Sequence, residues 1–141
     1  MASWVIEGVL AASPRPGYAP GAEMTVSADK VRDWATCVRD LGVVSIICLL
    51  HKDQLPLYEK DLPRGLLDFY RREGFEVAHI PTFDGQTEPF TSEQYERVWR
   101  EFVGLPKPVL VHCSAGMDRT GRVIRHIQER LREQPHLLSI R

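Results

Sequence analysis

Between Lys107 and Val123 the chain reads KPVLVHCSAGMDRTGRV, and two of these side chains can carry chemistry. Cys113 follows an apolar run at 109–111, and Arg119 stands six positions further on, with Gly116 between them and Thr120-Gly121 just beyond. A strand that feeds a tight loop opening a helix aims successive backbone N–H groups at one point, backed by the positive end of the helix dipole. Such a loop cradles an anion. Arg119, at the helix start, can give two parallel hydrogen bonds to two phosphate oxygens, which a lysine ammonium cannot. Gly116 takes away a Cβ where the backbone has to turn.

The same field favours an ionised cysteine, since thiol pKa values fall from about 8.5 to roughly 3.5–7.5 at helix N-termini or beside cations. Cys113 is therefore expected as a thiolate aimed at whatever fills the cradle. A phosphorus held there by Arg119 and the loop amides sets up covalent phosphoryl transfer. The Thr120 hydroxyl can donate to the sulfur and make it a better leaving group when water cleaves the phosphocysteine. Ser114, Ala115, Gly116, Met117, Asp118 and Arg119 then surround the bound phosphate.

Spacing alone is weak evidence: three cysteines and 14 arginines in 141 residues yield a bare C-x5-R by chance roughly 0.3 times per chain. Requiring His112, Gly116, Thr120 and Gly121 as well lowers this to on the order of a few in a million. The combination is specific.

The elements that must position this loop are legible in outline. WVIEGVL is a short strand candidate, and the Pro/Gly-rich ASPRPGYAPG after it reads as a loop. SADKVRDWATCVRDLG has apolar Val31, Trp34, Ala35 and Val38 at helical spacing, with Ser27 as N-cap and Gly42 as terminator. VVSIICLL is a continuous β-branched run, expected as a strand buried on both faces. LPRGLLDFYRREG reads as a helix weakened by Gly65 and closed by Gly74, and FEVAHIP as another short strand. TSEQYERVWREFVG opens with a capping box, Thr91 and Gln94, and presents an apolar stripe of Tyr95, Val98, Trp99 and Phe102. PVLVHC is a strand and DRTGRVIRHIQERLREQ a helix ended by Pro135. Alternating strands and helices imply an α/β fold, a mainly parallel central sheet covered on both faces, with its ligand at the carboxyl ends of the strands. Cys113 lies at such an end.

The length suits a single domain spanning residues 1–141. A net charge of −1 favours neither nucleic acid nor an anionic membrane, so any attraction for an anion must be local. MASWVIEGVL lacks a basic start and carries Glu7 in its apolar stretch, which does not fit a signal peptide. No apolar run is long enough for membrane insertion. Three cysteines without metal-finger spacing are expected as reduced thiols of a cytoplasmic protein, with no metal and no cofactor. The sequence leaves the oligomeric state open.

HCSAGMDRTG resembles the signature loop H-C-x-x-G-x-x-R-(S/T)-G of the cysteine-based protein-tyrosine phosphatase superfamily. The chain length and the late position of the loop are similar to its small (atypical) dual-specificity branch. The resemblance implies that branch's fold, four to five mainly parallel strands flanked by helices. It implies Cys113 as nucleophile, Arg119 as phosphate clamp, Thr120 as donor to the thiolate, and His112 as a residue that tunes Cys113 without touching substrate. His112 also suits a plain buried, hydrogen-bonded histidine. The substrate implied is a phosphorylated protein or peptide, phosphotyrosine first, then phosphoserine or phosphothreonine. A phosphoinositide or other small phosphate ester is the alternative, and a phospho-binding module without turnover is a third. Asp118, in DRT, favours the phosphoinositide alternative, whereas uncharged Ser114, Ala115 and Met117 do not favour a multiply phosphorylated ligand.

Breaking a phosphate ester also requires an acid to protonate the leaving oxygen, on a loop that can move. The resembled branch places an Asp after a strand about thirty residues before the cysteine, and Asp84, followed by Gly85 as a hinge, lies twenty-nine before Cys113. Glu88 and Asp118 are its rivals. SIICLLHKD further resembles the segment of the phosphatase and tensin homologue branch that ends in a cysteine near the nucleophile. Cys48 is then a possible redox partner of Cys113, or simply a small buried hydrophobe. Arg15 is a candidate for the substrate rim.

Overall fold

The computed structural model describes residues 1–21, 24–82 and 90–139. Five strands and four α-helices follow in the order β1 (Ser3–Ile6), β2 (Leu10–Ser13), α1 (Ala28–Asp40), β3 (Ser45–Cys48), α2 (Leu66–Arg72), β4 (Glu76–His79), α3 (Ser92–Gly104), β5 (Val109–His112) and α4 (Asp118–Glu133). Short 3-10 helices occupy Leu55–Tyr58 and Pro135–Ser139. The strands form one sheet in the order β1-β2-β5-β3-β4, parallel except for the β1–β2 hairpin. The α/β architecture expected from the alternating pattern is present.

Three expectations change in detail. WVIEGVL is not one strand: Gly8 takes φ +72°, the Val9 N–H donates to the Ile6 carbonyl, and the chain reverses into β2. Strand β2 then runs on to Ser13, into the stretch expected to be loop. Gly65 does not weaken α2 from within, because it precedes the first turn with φ +91°. The caps read from sequence are in place: Ser27 Oγ accepts from the Lys30 N–H, and Thr91 and Gln94 make both bonds of the capping box.

Alternation along the two central strands divides the core between the faces of the sheet. Ile46, Cys48, Leu50 and Leu110 pack with Val31, Ala35, Val38 and Tyr70 of α1 and α2. Ile47, Leu49, Val109, Val111 and Cys113 pack with Val98, Trp99, Phe102, Val123 and Ile127 of α3 and α4. Both faces being covered, the central strands have no polar side, which explains their unbroken apolar runs.

The register aligns the parallel strands at one level. Ser13 of β2 and Cys48 of β3 both pair with His112 of β5, and His79 of β4 pairs with Cys48. Four strands thus end on a common line, and the residues just past it are delivered to a single edge of the sheet: 14–16, 49–54, 80–82 and 113–119. That edge is the candidate site.

Candidate active site

Cys113 leaves β5 at this edge with 3% of its surface exposed. The loop turns at Gly116, whose φ of +77° is one that side-chain-bearing residues rarely adopt. Space demands glycine there as well, because a Cβ would stand 2.6 Å from the Ser13 carbonyl oxygen. The loop therefore rests directly on the backbone that follows β2. Met117 precedes the first turn of α4, and no side chain caps that turn. The first N–H groups of a helix have no intrahelical acceptor, which is how a helix start binds an anion.

Arg119 lies in this first turn and is completely buried. Its Nη1 donates to the Thr82 carbonyl at 2.8 Å, and to the Leu49 carbonyl and Gln54 Oε1 at 3.3 Å each. Thr82 is itself tied to Leu49, its N–H and its Oγ1 both donating to that carbonyl at 3.2 Å. The ends of β3 and β4 thus orient a guanidinium carried by α4. Gln54, Leu49 and Thr82 carry no periodic signal, and sequence reasoning passed over them.

His112 sits behind Cys113. Its Nδ1 is 3.0 Å from the Cys113 carbonyl and its Nε2 2.9 Å from the Tyr70 hydroxyl. A carbonyl can only accept, so Nδ1 carries the hydrogen; Nε2 is then the bare nitrogen, and Tyr70 donates to it. That assignment needs a neutral ring. Burial lowers the imidazole pKa to about 4, with the Arg119 and Arg15 charges acting in the same direction. Burial likewise raises the Tyr70 phenol well above its ordinary value, keeping the donor proton in place. Trp34 packs against both rings, at 5.4 Å from Tyr70 and 5.5 Å from His112, and its Nε1 donates to Ser13 Oγ and the Pro14 carbonyl. His112 is thus buried and hydrogen-bonded through both ring nitrogens, one of them to the Cys113 carbonyl.

Of the other expected residues, Ser114 and Thr120 are buried beside Cys113 and Arg119, Ala115 and Gly116 are half-buried, and Met117 and Asp118 are exposed. The Thr120 Oγ1 is buried without a hydrogen-bond partner among the described residues. Asp118 stands in the first turn of α4 and accepts from Arg122 Nε at 3.2 Å, an i,i+4 pair that occupies its carboxylate. Asp84 and Glu88 lie outside the described residues. Cys48 is fully buried, its thiol pushed up to about 12 by burial, and it packs in the α1–α2 core, whereas Cys113 packs in the α3–α4 core. Arg15 is no rim residue: it is buried under the loop.

A sequence profile of the tyrosine phosphatase family matches residues 71–132. Among solved structures, Tk-PTP in its active form aligns at 27% identity with a TM-score of 0.59, over 95% of this chain and 84% of that one. A glycine-to-alanine mutant form of Tk-PTP aligns at 26% identity with a TM-score of 0.60, over 94% and 81%. The core catalytic domain of the PP-IP phosphatase SIW14 from S. cerevisiae, in complex with citrate, shares the fold at 18% identity and a TM-score of 0.52, over 83% of this chain and 67% of that one. No curated protein matches the sequence significantly. In sequence over residues 71–132, and in fold over nearly its whole length, the chain is thus similar to tyrosine phosphatases.

Proposed function

We propose that the chain acts as a single phosphatase domain that hydrolyses phosphate monoesters through a phosphocysteine, with phosphotyrosine in proteins or peptides as its first substrate. Phosphoserine and phosphothreonine follow as lesser substrates. The observation that carries this is the pairing of Cys113 and Arg119 at the two ends of one loop, the guanidinium anchored by three acceptors from the segments that follow β3 and β4.

The Cys113 thiolate attacks phosphorus; the S–P bond forms as the P–O ester bond breaks, and the Asp84 carboxyl protonates the departing oxygen. Water then attacks phosphorus while the Asp84 carboxylate takes its proton. The S–P bond breaks, its electron pair returns to sulfur, and inorganic phosphate leaves. Arg119 and the uncapped amides of α4 hold the oxygens on which negative charge accumulates. The buried, otherwise unbonded Thr120 hydroxyl supports its role as donor to the departing sulfur.

Near-complete burial of Cys113 supports phosphotyrosine over phosphoserine, since the phosphate must reach down to the sulfur and a long ring carries it further than one methylene. Ser114, Ala115 and Met117 add no cation to the loop, which weighs against a multiply phosphorylated inositol.

The test is release of inorganic phosphate from phosphotyrosyl, phosphoseryl and phosphoinositide substrates by the purified chain. The expected order places the phosphotyrosyl peptide first, with vanadate inhibition and complete loss in Cys113→Ser. Faster turnover of phosphoinositides would replace this reading with the lipid one. Capture of phosphopeptide without any release would make the chain a binding module.

A further inference from the structure

Arg15 lies two residues beyond the end of β2 and is 3% exposed. It grips the residue after the nucleophile twice. Its backbone N–H donates to the Ser114 carbonyl at 2.8 Å, and its Nε donates to Ser114 Oγ at 3.2 Å. Its Nη1 donates to the Tyr58 hydroxyl at 3.1 Å, and that hydroxyl donates onward to the Pro16 carbonyl at 2.7 Å. The guanidinium also lies 5.7 and 5.9 Å from the ring centres of Tyr18 and Tyr58.

These contacts satisfy donors but do not neutralise charge. Among the described residues, no ion pair involves Arg15. A guanidinium withdrawn from water without a carboxylate is strongly disfavoured unless something else supplies the negative charge. If the role were only to tie β2 to the loop, a neutral donor would do it without that penalty. The position of this cation suggests its counter-charge, since its anchor, Ser114, is the residue that follows Cys113 in the anion-binding loop.

We propose that Arg15 is a positioning and specificity residue for the oxyanion site: it fixes the Ser114 peptide in the cradle and supplies a second buried positive charge that favours a doubly negative tetrahedral ligand. Tyr58 holds the guanidinium in register for this. The inference rests on the phosphatase reading above and extends it, because Arg119 alone would bind a phosphate but would not explain the buried charge on the opposite side of the loop. Lysine could not replace Arg15, since an ammonium cannot reach Ser114 Oγ and the Tyr58 hydroxyl in one plane.

The test compares wild type, Arg15→Met, Arg15→Lys and Tyr58→Phe as full chains. Three quantities are read: kcat and KM on p-nitrophenyl phosphate, the inhibition constant of tungstate, and the rise in melting temperature on adding tungstate, which needs no turnover. Arg15→Met is expected to weaken tungstate binding and raise KM about tenfold, the scale of a charge-assisted hydrogen bond. Arg15→Lys should recover only part of that, and Tyr58→Phe should weaken tungstate about two- to fivefold, the scale of a neutral bond.

Tungstate affinity within twofold of wild type in folded Arg15→Met would overturn the proposal. So would a loss that only tracks the folded fraction. If Arg15→Met does not fold, Tyr58→Phe decides, and unchanged affinity there overturns it. A wild type that binds tungstate without turning over substrate sinks the phosphatase reading but leaves Arg15 to be judged by the melting shifts. A wild type that does neither sinks both.

Discussion

Gly116 and Ser13 approach so closely that a single methyl group on the former would stand 2.6 Å from the carbonyl oxygen of the latter. The obstacle is backbone on both sides, so neither can turn away. Gly116→Ala therefore meets a steric clash and a φ of +77° at once. The expected outcome is a loss of about 1–3 kcal/mol in denaturant unfolding. Turnover should fall more than stability, since the displaced loop carries both Cys113 and the amides. Paired unfolding and hydrolysis measurements on the variant check this.

The neutral His112 ring makes stability depend on pH. Its folded pKa of about 4 lies below the ordinary value of 6.5, so the unfolded chain takes up the proton first as pH falls. The contribution is whole above pH 6.5, declines as pH drops from there, and levels off below about 4. Its size is on the order of 3 kcal/mol. His112→Gln should flatten that part of the stability-against-pH curve measured by urea unfolding. Tyr70→Phe, which removes the donor to Nε2, should cost about 1–3 kcal/mol at neutral pH.

Asp84→Asn separates leaving groups. Tyrosyl phosphate expels a poor leaving oxygen and needs the acid, whereas p-nitrophenol leaves well without one. The variant should lose roughly 100-fold or more in kcat on a phosphotyrosyl peptide and much less on p-nitrophenyl phosphate. Equal losses on both, or none on the peptide, would move the acid to another carboxylate.

Cys48 is a weak attacking group toward Cys113, although Cys113 lies near enough to act on it electrostatically. Burial raises its thiol to about 12, and the two sulfurs belong to different cores. A protonated thiol attacks slowly, so mild peroxide at neutral pH is expected to carry Cys113 along the oxidation ladder without a Cys48–Cys113 crosslink. Non-reducing peptide mapping reads the outcome, and a crosslink would make Cys48 the redox partner of Cys113.

Local chemistry determined a great deal of this protein. The capping residues Ser27 and Thr91, the apolar stripe of α3 and the unbroken run of β3 each act within a few neighbours, so their consequences are written in the order of residues. The same holds for the loop from Cys113 to Arg119, where thiol, turn glycine and guanidinium lie on seven consecutive positions. The β1–β2 hairpin was harder to read, because Ile6 and Leu10 leave only a short turn and the apolar run continues across it.

What surrounds the loop came only from the folded chain. Arg15, Gln54, Tyr58, Tyr70 and Thr82 are spread over sixty-eight positions and show no mutual spacing. They meet because strand register ends β2, β3, β4 and β5 on one line. Register follows from the fit of apolar side chains on two covered faces, a cooperative property of the entire sheet. The sequence therefore determined which groups could react, and the tertiary structure decided which buried charges and hydrogen bonds would hold them.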